Sequence, residues 1–239
     1  MSAADTNDVL GRLAISSTAI LDRIDTRLPC PSCKKSVMYF CYYCHRVVGY
    51  DPSEIPCLSL PVQLDIIKHS REKDGKSTAI HAKLLAPAHT TIHAYPEHVP
   101  DYPVDGRTLL LFPGEDARSL TDIDAASFDR LVVVDGTWNQ AKAMVRYSPV
   151  LSRLPRVMIR TEQTLFWRFQ NLASDHLATI EAIYYFYREY HKAYATSSYA
   201  GEYDNLLYYF KFFYNRIQNE YRRTGKPFTR RYQGDYIKY

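Results

Sequence analysis

The chain has 239 residues, of which 46% are hydrophobic and 23% charged, enough for one sizeable core with a small appendage. No apolar run is long enough to span a bilayer, and Met1 to Asp8 lacks the basic and apolar regions of a secretory signal, so we expect an intracellular protein. The net charge of +4 is unevenly distributed, because residues 216–239 alone carry a net +5. In an intracellular protein, the five cysteines favour metal binding or catalysis over disulfides.

Two elements are predicted before residue 58. Apolar side chains recur partly at helical spacing over residues 7–24, which predicts an amphipathic helix. Cys30, Cys33, Cys41 and Cys44 then form two CxxC pairs, the spacing of a small two-knuckle ribbon in which four thiolates bind one structural Zn²⁺. Redox-active or unpaired thiols are the alternative, and Cys57 is expected to be a small core residue. The zinc is expected to hold the structure of the ribbon, or to present five of its side chains to RNA. These are Tyr39, Tyr42, Lys34, Lys35 and Arg46.

Strands and helices alternate in the rest of the chain, which predicts a mostly parallel sheet with helices on both faces. Residues 86–107 hold four prolines and are read as an extended loop or short turns. Apolar runs predict strands at residues 62–67, 108–112, 131–134 and 156–160. Helices are predicted at residues 77–85, after residue 117, from residue 139, and at residues 175–194 and 203–223.

Three successive predicted strands end in polar, glycine-containing or aromatic loops. These are Pro113–Ala117, Asp135–Trp138 and Thr161–Arg168. Because the carboxyl ends of parallel strands share one edge of a sheet, we expect the three loops to form a ligand site there. Glu115 and Asp116 in the first loop are candidates for a general base, second to Asp135 in the second loop.

The second of these loops is the most informative, because it separates a buried strand from a helix. Asp135 at the strand end is the best candidate for a general base. Gly136 permits a sharp turn or a close approach of the backbone, Thr137 suits a helix cap, and Trp138 suits the wall of an apolar pocket. An ordinary strand-to-helix turn is the alternative.

Three regions suggest contact with nucleic acid or a nucleotide. The polar run that follows the first long strand can bind an anion near Lys76, or it can simply hold a Ser77 helix cap. Aromatic side chains lie next to a cation near residue 167, where they can stack on a base or simply pack against the next helix. Aromatic and basic residues are also interleaved in the C-terminal segment, which can bind nucleic acid or be a solvated tail. The candidate RNA-binding residues are Lys68, His69, Lys76, Arg222, Arg223, Arg230 and Arg231.

Taken together, these motifs resemble the DTW-domain proteins, a family of tRNA-uridine aminocarboxypropyltransferases. The resemblance covers about residues 28–195 and includes both CxxC pairs. Its other segments, in the same order, are Asp65–Pro87, Leu111–Ala117, Asp135–Met144 and Thr161–Gln170. The first of these four is most similar to the first of the two eukaryotic paralogues.

The resemblance implies an α/β fold related to the SPOUT class, with a mostly parallel sheet and a C-terminal knot. The zinc ribbon and the C-terminal helices are additions to it. We therefore expect an N-terminal helix at residues 1–27, a ribbon at 28–57, a catalytic domain at 58–195, and a C-terminal helix with a basic tail at 196–239. The implied pocket for S-adenosylmethionine comprises Phe112, Pro113, Gly114, Glu115, Gly136, Thr137, Trp138, Phe166, Trp167 and Arg168.

The implied reaction moves the 3-amino-3-carboxypropyl group of S-adenosylmethionine to N3 of a uridine in the tRNA D-loop, at position 20. The product is acp3U, the by-product is methylthioadenosine, and Asp135 fits the base that accepts the N3 proton. A SPOUT-like RNA methyltransferase and a non-catalytic zinc-ribbon RNA-binding protein are the alternatives. The resemblance favours the nucleus over the cytoplasm, and the oligomeric state stays open.

Overall fold

The computed structural model of the chain describes residues 9–160 and 177–224. Its strands are β1 (Leu28–Pro29), β2 (Ser36–Val37), β3 (Phe40–Cys41), β4 (Arg46–Val47), β5 (Gln63–His69), β6 (Thr90–Tyr95), β7 (Thr108–Leu111), β8 (Arg118–Ser119), β9 (Arg130–Asp135) and β10 (Arg156–Met158). Its α-helices after residue 12 are α1 (Ala19–Asp22), α2 (Ala79–Leu85), α3 (Trp138–Tyr147), α4 (Thr179–Tyr194) and α5 (Tyr208–Thr224). Short 3-10 helices lie at Pro52–Glu54, Leu120–Asp122, Ala125–Ser127, Leu151–Arg153 and Asp204–Leu207.

A six-stranded sheet in the order β6-β5-β9-β7-β10-β8 forms the centre of the molecule. All of its strand pairs are parallel, which confirms the predicted α/β class. Residues 64–67 of β5 and 131–133 of β9 are all buried, because both faces of these central strands are covered. Since every strand runs the same way, the carboxyl ends of β5, β9, β7 and β10 lie side by side at one edge.

Helices cover both faces of this sheet, as the alternation of elements predicted. Successive side chains of a strand point to opposite faces, so Ile66 packs in the core with α2 and α4, including Ile183. The neighbouring Ile67 packs with α3, including Met144. Of the helices in residues 9–160 and 177–224, none is long and apolar enough to cross a membrane.

The cysteine-containing segment forms two small antiparallel hairpins, β1 with β2 and β3 with β4. This ribbon packs against the last helix. The ring of Tyr39 meets Phe212 edge to face with a centroid separation of 5.1 Å, and Phe40 meets Tyr209 at 5.1 Å. The ribbon is therefore attached to α5, although the two segments are far apart in the sequence.

The N-terminal helix predicted over residues 7–24 is wrong as a single element. Residues 9–12 are helical, and the next helix begins only at Ala19. Between them, the backbone N–H of Ala14 donates to Asp204 Oδ2 at 2.7 Å, and that of Ser16 donates to Asn205 Oδ1 at 2.8 Å. These tertiary bonds use backbone donors that a continuous helix would need for its own ladder.

Two loop predictions also need correction. The segment read as a loop over residues 86–107 contains β6, an edge strand; Pro87 and Pro96 flank the strand and remove no hydrogen bond within it. The turn Pro113–Ala117 leads into the short strand β8, which pairs with β10, and not into the predicted helix. The predicted C-terminal knot is not confirmed, and residues 161–176 lie outside the described residues.

Candidate active site and metal centre

Asp135 is the last residue of β9 and lies at the carboxyl edge of the sheet. The register of β5 and β9 places it beside Lys68. The turn that follows is tight: a Cβ on Gly136 would lie 3.0 Å from Gln140 Oε1 and 3.3 Å from the Cβ of His69. The turn after β9 therefore approaches the end of β5 closely, which explains a glycine at this position.

The Asp135 carboxylate is buried, with 2% of the residue exposed. Two hydroxyl groups donate to it: Ser77 Oγ to Oδ2 at 2.7 Å, and Thr179 Oγ1 to Oδ1 at 2.6 Å. Burial raises the pKa of Asp135 above its ordinary value, and the Thr179 and Ser77 hydroxyls and the Lys68 charge only partly oppose that rise. The site thus holds an oriented carboxyl group with a raised pKa.

The two hydroxyl donors come from the N-terminal ends of α2 and α4. Thr179 is the first residue of α4, and the N-cap of α2 is Thr78 rather than the expected Ser77. The Ser77 hydroxyl still accepts a bond from the N–H of Ala79 at 3.3 Å, and Thr78 Oγ1 accepts one from Ile180 at 3.1 Å. The role of Thr179 was not predicted, because no local pattern in the sequence signals a contact between residues 44 positions apart.

Thr137 and Trp138 begin α3 as the sequence predicted. Thr137 Oγ1 accepts from the N–H of Gln140 at 3.4 Å, and Gln140 Oε1 accepts from the N–H of Thr137 at 2.7 Å, which completes a capping box. The Trp138 ring stacks on Phe112 with a centroid separation of 5.4 Å and an interplanar angle of 18°. The structure therefore brings the loop after β7 and the turn after β9 into contact.

The loop after β7 is exposed at Pro113, Gly114 and Glu115. A Cβ on Gly114 would lie only 2.6 Å from Nη1 of Arg156, so the guanidinium group packs directly on the glycine. That same group donates to Asp116 Oδ1 at 3.0 Å and ties the loop to β10. The remaining predicted pocket residues, Phe166, Trp167 and Arg168, lie outside the described residues.

The candidate RNA-binding residues near β5 lie at or close to the same edge. Lys68 is ion-paired with Asp74 in the loop that follows. The His69 ring lies 5.8 Å from that of Tyr95. Lys76 is exposed in the same loop. This part of the candidate RNA-binding set is therefore close to Asp135.

The other candidate RNA-binding residues belong to the end of the chain. Arg222 and Arg223 lie in the last turn of α5. Arg223 forms an ion pair with Glu220, with 2.9 Å between Nη2 and Oε1. Arg230 and Arg231 lie outside the described residues.

The four paired cysteines form a cluster that can hold one metal ion. Their sulfur atoms lie within 4.8 Å of one another, and those of Cys33 and Cys41 are 3.5 Å apart. A tetrahedral Zn²⁺ site with bonds of about 2.3 Å would place its sulfurs about 3.8 Å apart. The backbone N–H of Cys33 helps to lower the pKa of Cys30 to about 6, whereas burial raises the pKa of Cys41 and the Cys33 side chain helps to raise that of Cys44.

Both knuckles of this cluster have the same backbone form. Lys34 and His45, which follow the second cysteine of each pair, adopt left-handed conformations with φ of 61° and 49°. Four cysteine ligands would fill a tetrahedral site, as in structural zinc sites, whereas catalytic sites keep an open position. Cys57 is exposed, and its expected place in the core is wrong.

Comparison with known proteins agrees with this arrangement. Residues 38–218 match the family model of the DTW domain. The chain belongs to the DTW-domain family. The resemblance drawn from the sequence motifs is therefore confirmed, and the four segments that carried it all fall within the matched region.

This DTW-domain protein is similar to curated proteins over most of its length. The mouse protein named tRNA-uridine aminocarboxypropyltransferase 1 is 37% identical, over 89% of this chain and 84% of its own. The Xenopus laevis protein of that name is 35% identical over 92% and 91%. A Drosophila melanogaster protein named tRNA-uridine aminocarboxypropyltransferase 2 is 32% identical over 58% and 56%. No solved structure matches the chain.

Proposed function

We propose that this protein is a tRNA-uridine aminocarboxypropyltransferase. Its substrates are S-adenosylmethionine and a D-loop uridine of tRNA, at position 20, and its products are acp3U and methylthioadenosine. The names of relatives that match about nine-tenths of the chain support this reaction. The structural observation that carries the proposal is the buried, hydroxyl-bonded Asp135 carboxyl at the sheet edge, beside two touching loops.

Asp135 is the proposed general base. In the reaction, N3 of the uridine forms a bond to the γ-carbon of the donor, the bond between that carbon and sulfur breaks, and sulfur leaves as a neutral thioether. N3 must lose its proton during this substitution, and Asp135 accepts it. Burial raises the pKa of Asp135, which makes the carboxylate a better proton acceptor near neutral pH than an exposed one.

The touching loops are the proposed binding site for S-adenosylmethionine. The stacked rings of Phe112 and Trp138 offer an apolar surface at the edge of the sheet. The exposed backbone of Pro113–Glu115 lies next to them. Alignment of the γ-carbon with N3, rather than of the methyl group, would determine which group moves. The family resemblance adds these residues to the proposed pocket: Gly136, Thr137, Phe166, Trp167 and Arg168.

The four-cysteine cluster is proposed to hold a structural Zn²⁺. Four thiolates within reach of one another match the preference of zinc for sulfur in a closed tetrahedron. The ion would fix the two knuckles, while the reaction proceeds at the sheet edge. Metal analysis of the purified protein should find one zinc per chain.

The proposed reaction is tested with unmodified tRNA, the purified zinc-loaded protein and S-adenosylmethionine. Mass spectrometry of the digested nucleosides should show a uridine that has gained the aminocarboxypropyl mass, with methylthioadenosine released. A tRNA with cytidine at position 20 is the matched control and should stay unmodified. S-adenosylmethionine should also raise the melting temperature, because it binds the native state.

Other products would contradict the proposal. A methyl gain with S-adenosylhomocysteine released would favour an RNA methyltransferase. Absence of any product across several tRNAs, without a shift in melting temperature, would favour an RNA-binding protein without catalysis.

A further inference from the structure

The outer surface of the ribbon is positively charged. Residues 27–50 contain four basic side chains and no aspartate or glutamate. Four thiolates and one divalent ion would leave two negative charges at the knuckles, so the ribbon retains a net positive charge. The four basic residues are all exposed, and none forms an ion pair with another described residue: Arg27, Lys34, Lys35 and Arg46.

Neutral groups of the ribbon hold these cations in place. Arg27 Nη2 donates to the carbonyl oxygen of Ser36 at 2.8 Å, and Arg46 Nη1 donates to Ser32 Oγ at 2.9 Å. Lys34 Nζ donates to the carbonyl oxygen of Pro31 at 2.9 Å. Because the acceptors carry no charge, the cations are restrained without being neutralised, and they remain able to attract an anion.

One aromatic side chain of the ribbon faces outward among these cations. Tyr43 is 60% exposed, and Lys35 Nζ lies 3.1 Å from the centre of its ring. Tyr39 and Tyr42, the tyrosines that the sequence offered for contact with RNA, are placed differently: Tyr39 is only 5% exposed, and the Tyr42 ring packs on Phe40 at 5.1 Å. An exposed ring beside a cation is the arrangement that stacks on an unpaired base next to a bound phosphate.

The ribbon also lies close to the candidate active site. The Phe40 ring lies 5.9 Å from that of His81 on α2. Four residues earlier in the chain, Ser77 donates to Asp135. Since one turn of helix spans about 5 Å, the ribbon is within about two helical turns of the sheet edge. A macromolecule whose reacting base lies at Asp135 is thus within reach of the ribbon if it extends beyond that base by about two helical turns.

We propose that Arg27, Lys34, Lys35, Tyr43 and Arg46 form a tRNA-binding surface, which we call the ribbon surface. It contacts the phosphates that flank the reacting uridine, and Tyr43 stacks on an unpaired base. This inference rests on the proposed function, which supplies the tRNA. A charged surface with an outward aromatic ring, placed beside the reaction site, fits a folded RNA loop better than an acidic protein.

The test compares a charge-reversed protein with the wild type. Lys34→Glu combined with Lys35→Glu should weaken tRNA binding at least tenfold at moderate salt. It should also reduce the slope of log K against log salt by roughly one to two, since each lost phosphate contact removes a little under one unit. KM for tRNA should rise while kcat is retained. The control is Lys192→Glu, at an exposed site near the C-terminal end of α4, about 20 Å along the helix from Thr179.

Two further variants keep the test valid if reversal near the cysteines disturbs the metal. Arg27→Glu lies outside both CxxC pairs and should weaken binding with one zinc retained. Tyr43→Ala should weaken binding several-fold, while Tyr43→Phe, which keeps the ring, should bind as the wild type does.

Two results would overturn the proposal that the ribbon surface binds tRNA. One is an unchanged tRNA affinity and salt slope in these zinc-loaded variants. The other is an equal loss of tRNA affinity in Lys192→Glu. Either result leaves the proposed reaction intact if the wild type still makes acp3U. Absence of acp3U formation by a wild type that binds tRNA through the ribbon surface would overturn the reaction but not the surface.

Discussion

Removal of the Thr179 hydroxyl should change the pH dependence of catalysis. Thr179→Val keeps the shape of the side chain but removes the donor that lies 2.6 Å from Asp135 Oδ1. A hydrogen bond to a charged group contributes about 1.5–3 kcal/mol, and a bond to a neutral group contributes about 0.5–1.5 kcal/mol. The difference, about 1–1.5 kcal/mol, favours the ionised carboxylate in the wild type. Its loss should raise the pKa of Asp135 by about one unit.

The assay is kcat for acp3U formation against pH, at saturating tRNA and S-adenosylmethionine. If ionised Asp135 accepts the N3 proton, the acid limb of the profile should move about one unit towards higher pH in Thr179→Val. The plateau at high pH should stay within a few-fold of the wild type. Thr179→Ser keeps the hydroxyl and should follow the wild-type profile.

The stability of the same proteins gives an independent measurement. Because the pKa of Asp135 is raised in the folded protein, its contribution is fully present below the ordinary value of 3.8 and is lost as pH rises to the folded value. Thr179→Val should extend that loss to higher pH. An acid limb that does not move, in a protein whose stability does change in this way, would refute Asp135 as the base that sets the limb.

The other predictions concern the base, the metal and the C-terminal cations. Asp135→Asn should lower kcat by about 10²- to 10⁴-fold and become more stable relative to the wild type as pH rises above about 4; normal turnover would exclude Asp135 as the base. A strong chelator should remove one zinc per chain and lower the melting temperature, and a melting temperature that is indifferent to zinc loss would argue against a structural ion. Charge reversal of the C-terminal arginines should weaken tRNA binding and flatten its salt dependence, whereas an unchanged slope would mean that they are only solvated: Arg222, Arg223, Arg230 and Arg231.

The central strands, and the shared edge at which their carboxyl ends lie, could be predicted from the sequence. β9 contains an unbroken apolar run at residues 131–134, and β5 contains Leu64, Ile66 and Ile67, a composition that favours buried strands. Alternation with helices implies parallel pairing, and parallel pairing places successive strand ends at one edge. The cysteine cluster was predictable for a similar reason, because the CxxC spacing is a local property of the chain.

The features that sequence analysis missed depend on distant partners. The break in the N-terminal helix depends on Asp204 and Asn205, about 190 residues away. The hydroxyl bond from Thr179 to Asp135 depends on the packing of α4 against the sheet edge. β6 was missed for a different reason: prolines flank it closely, and an edge strand tolerates prolines at its ends.

The packing of the ribbon on the last helix should couple the stability of the two. The hydroxyl groups of Tyr50 and Tyr209 are 2.6 Å apart and join segments separated by 159 residues. Buried rings of the ribbon and of α5 share one core. A ligand that binds only the folded ribbon therefore also stabilises α5, by thermodynamic linkage. The affinity of the cysteines for their ion should thus depend on substitutions in α5, and hydrogen exchange in α5 should accelerate when the ion is withdrawn.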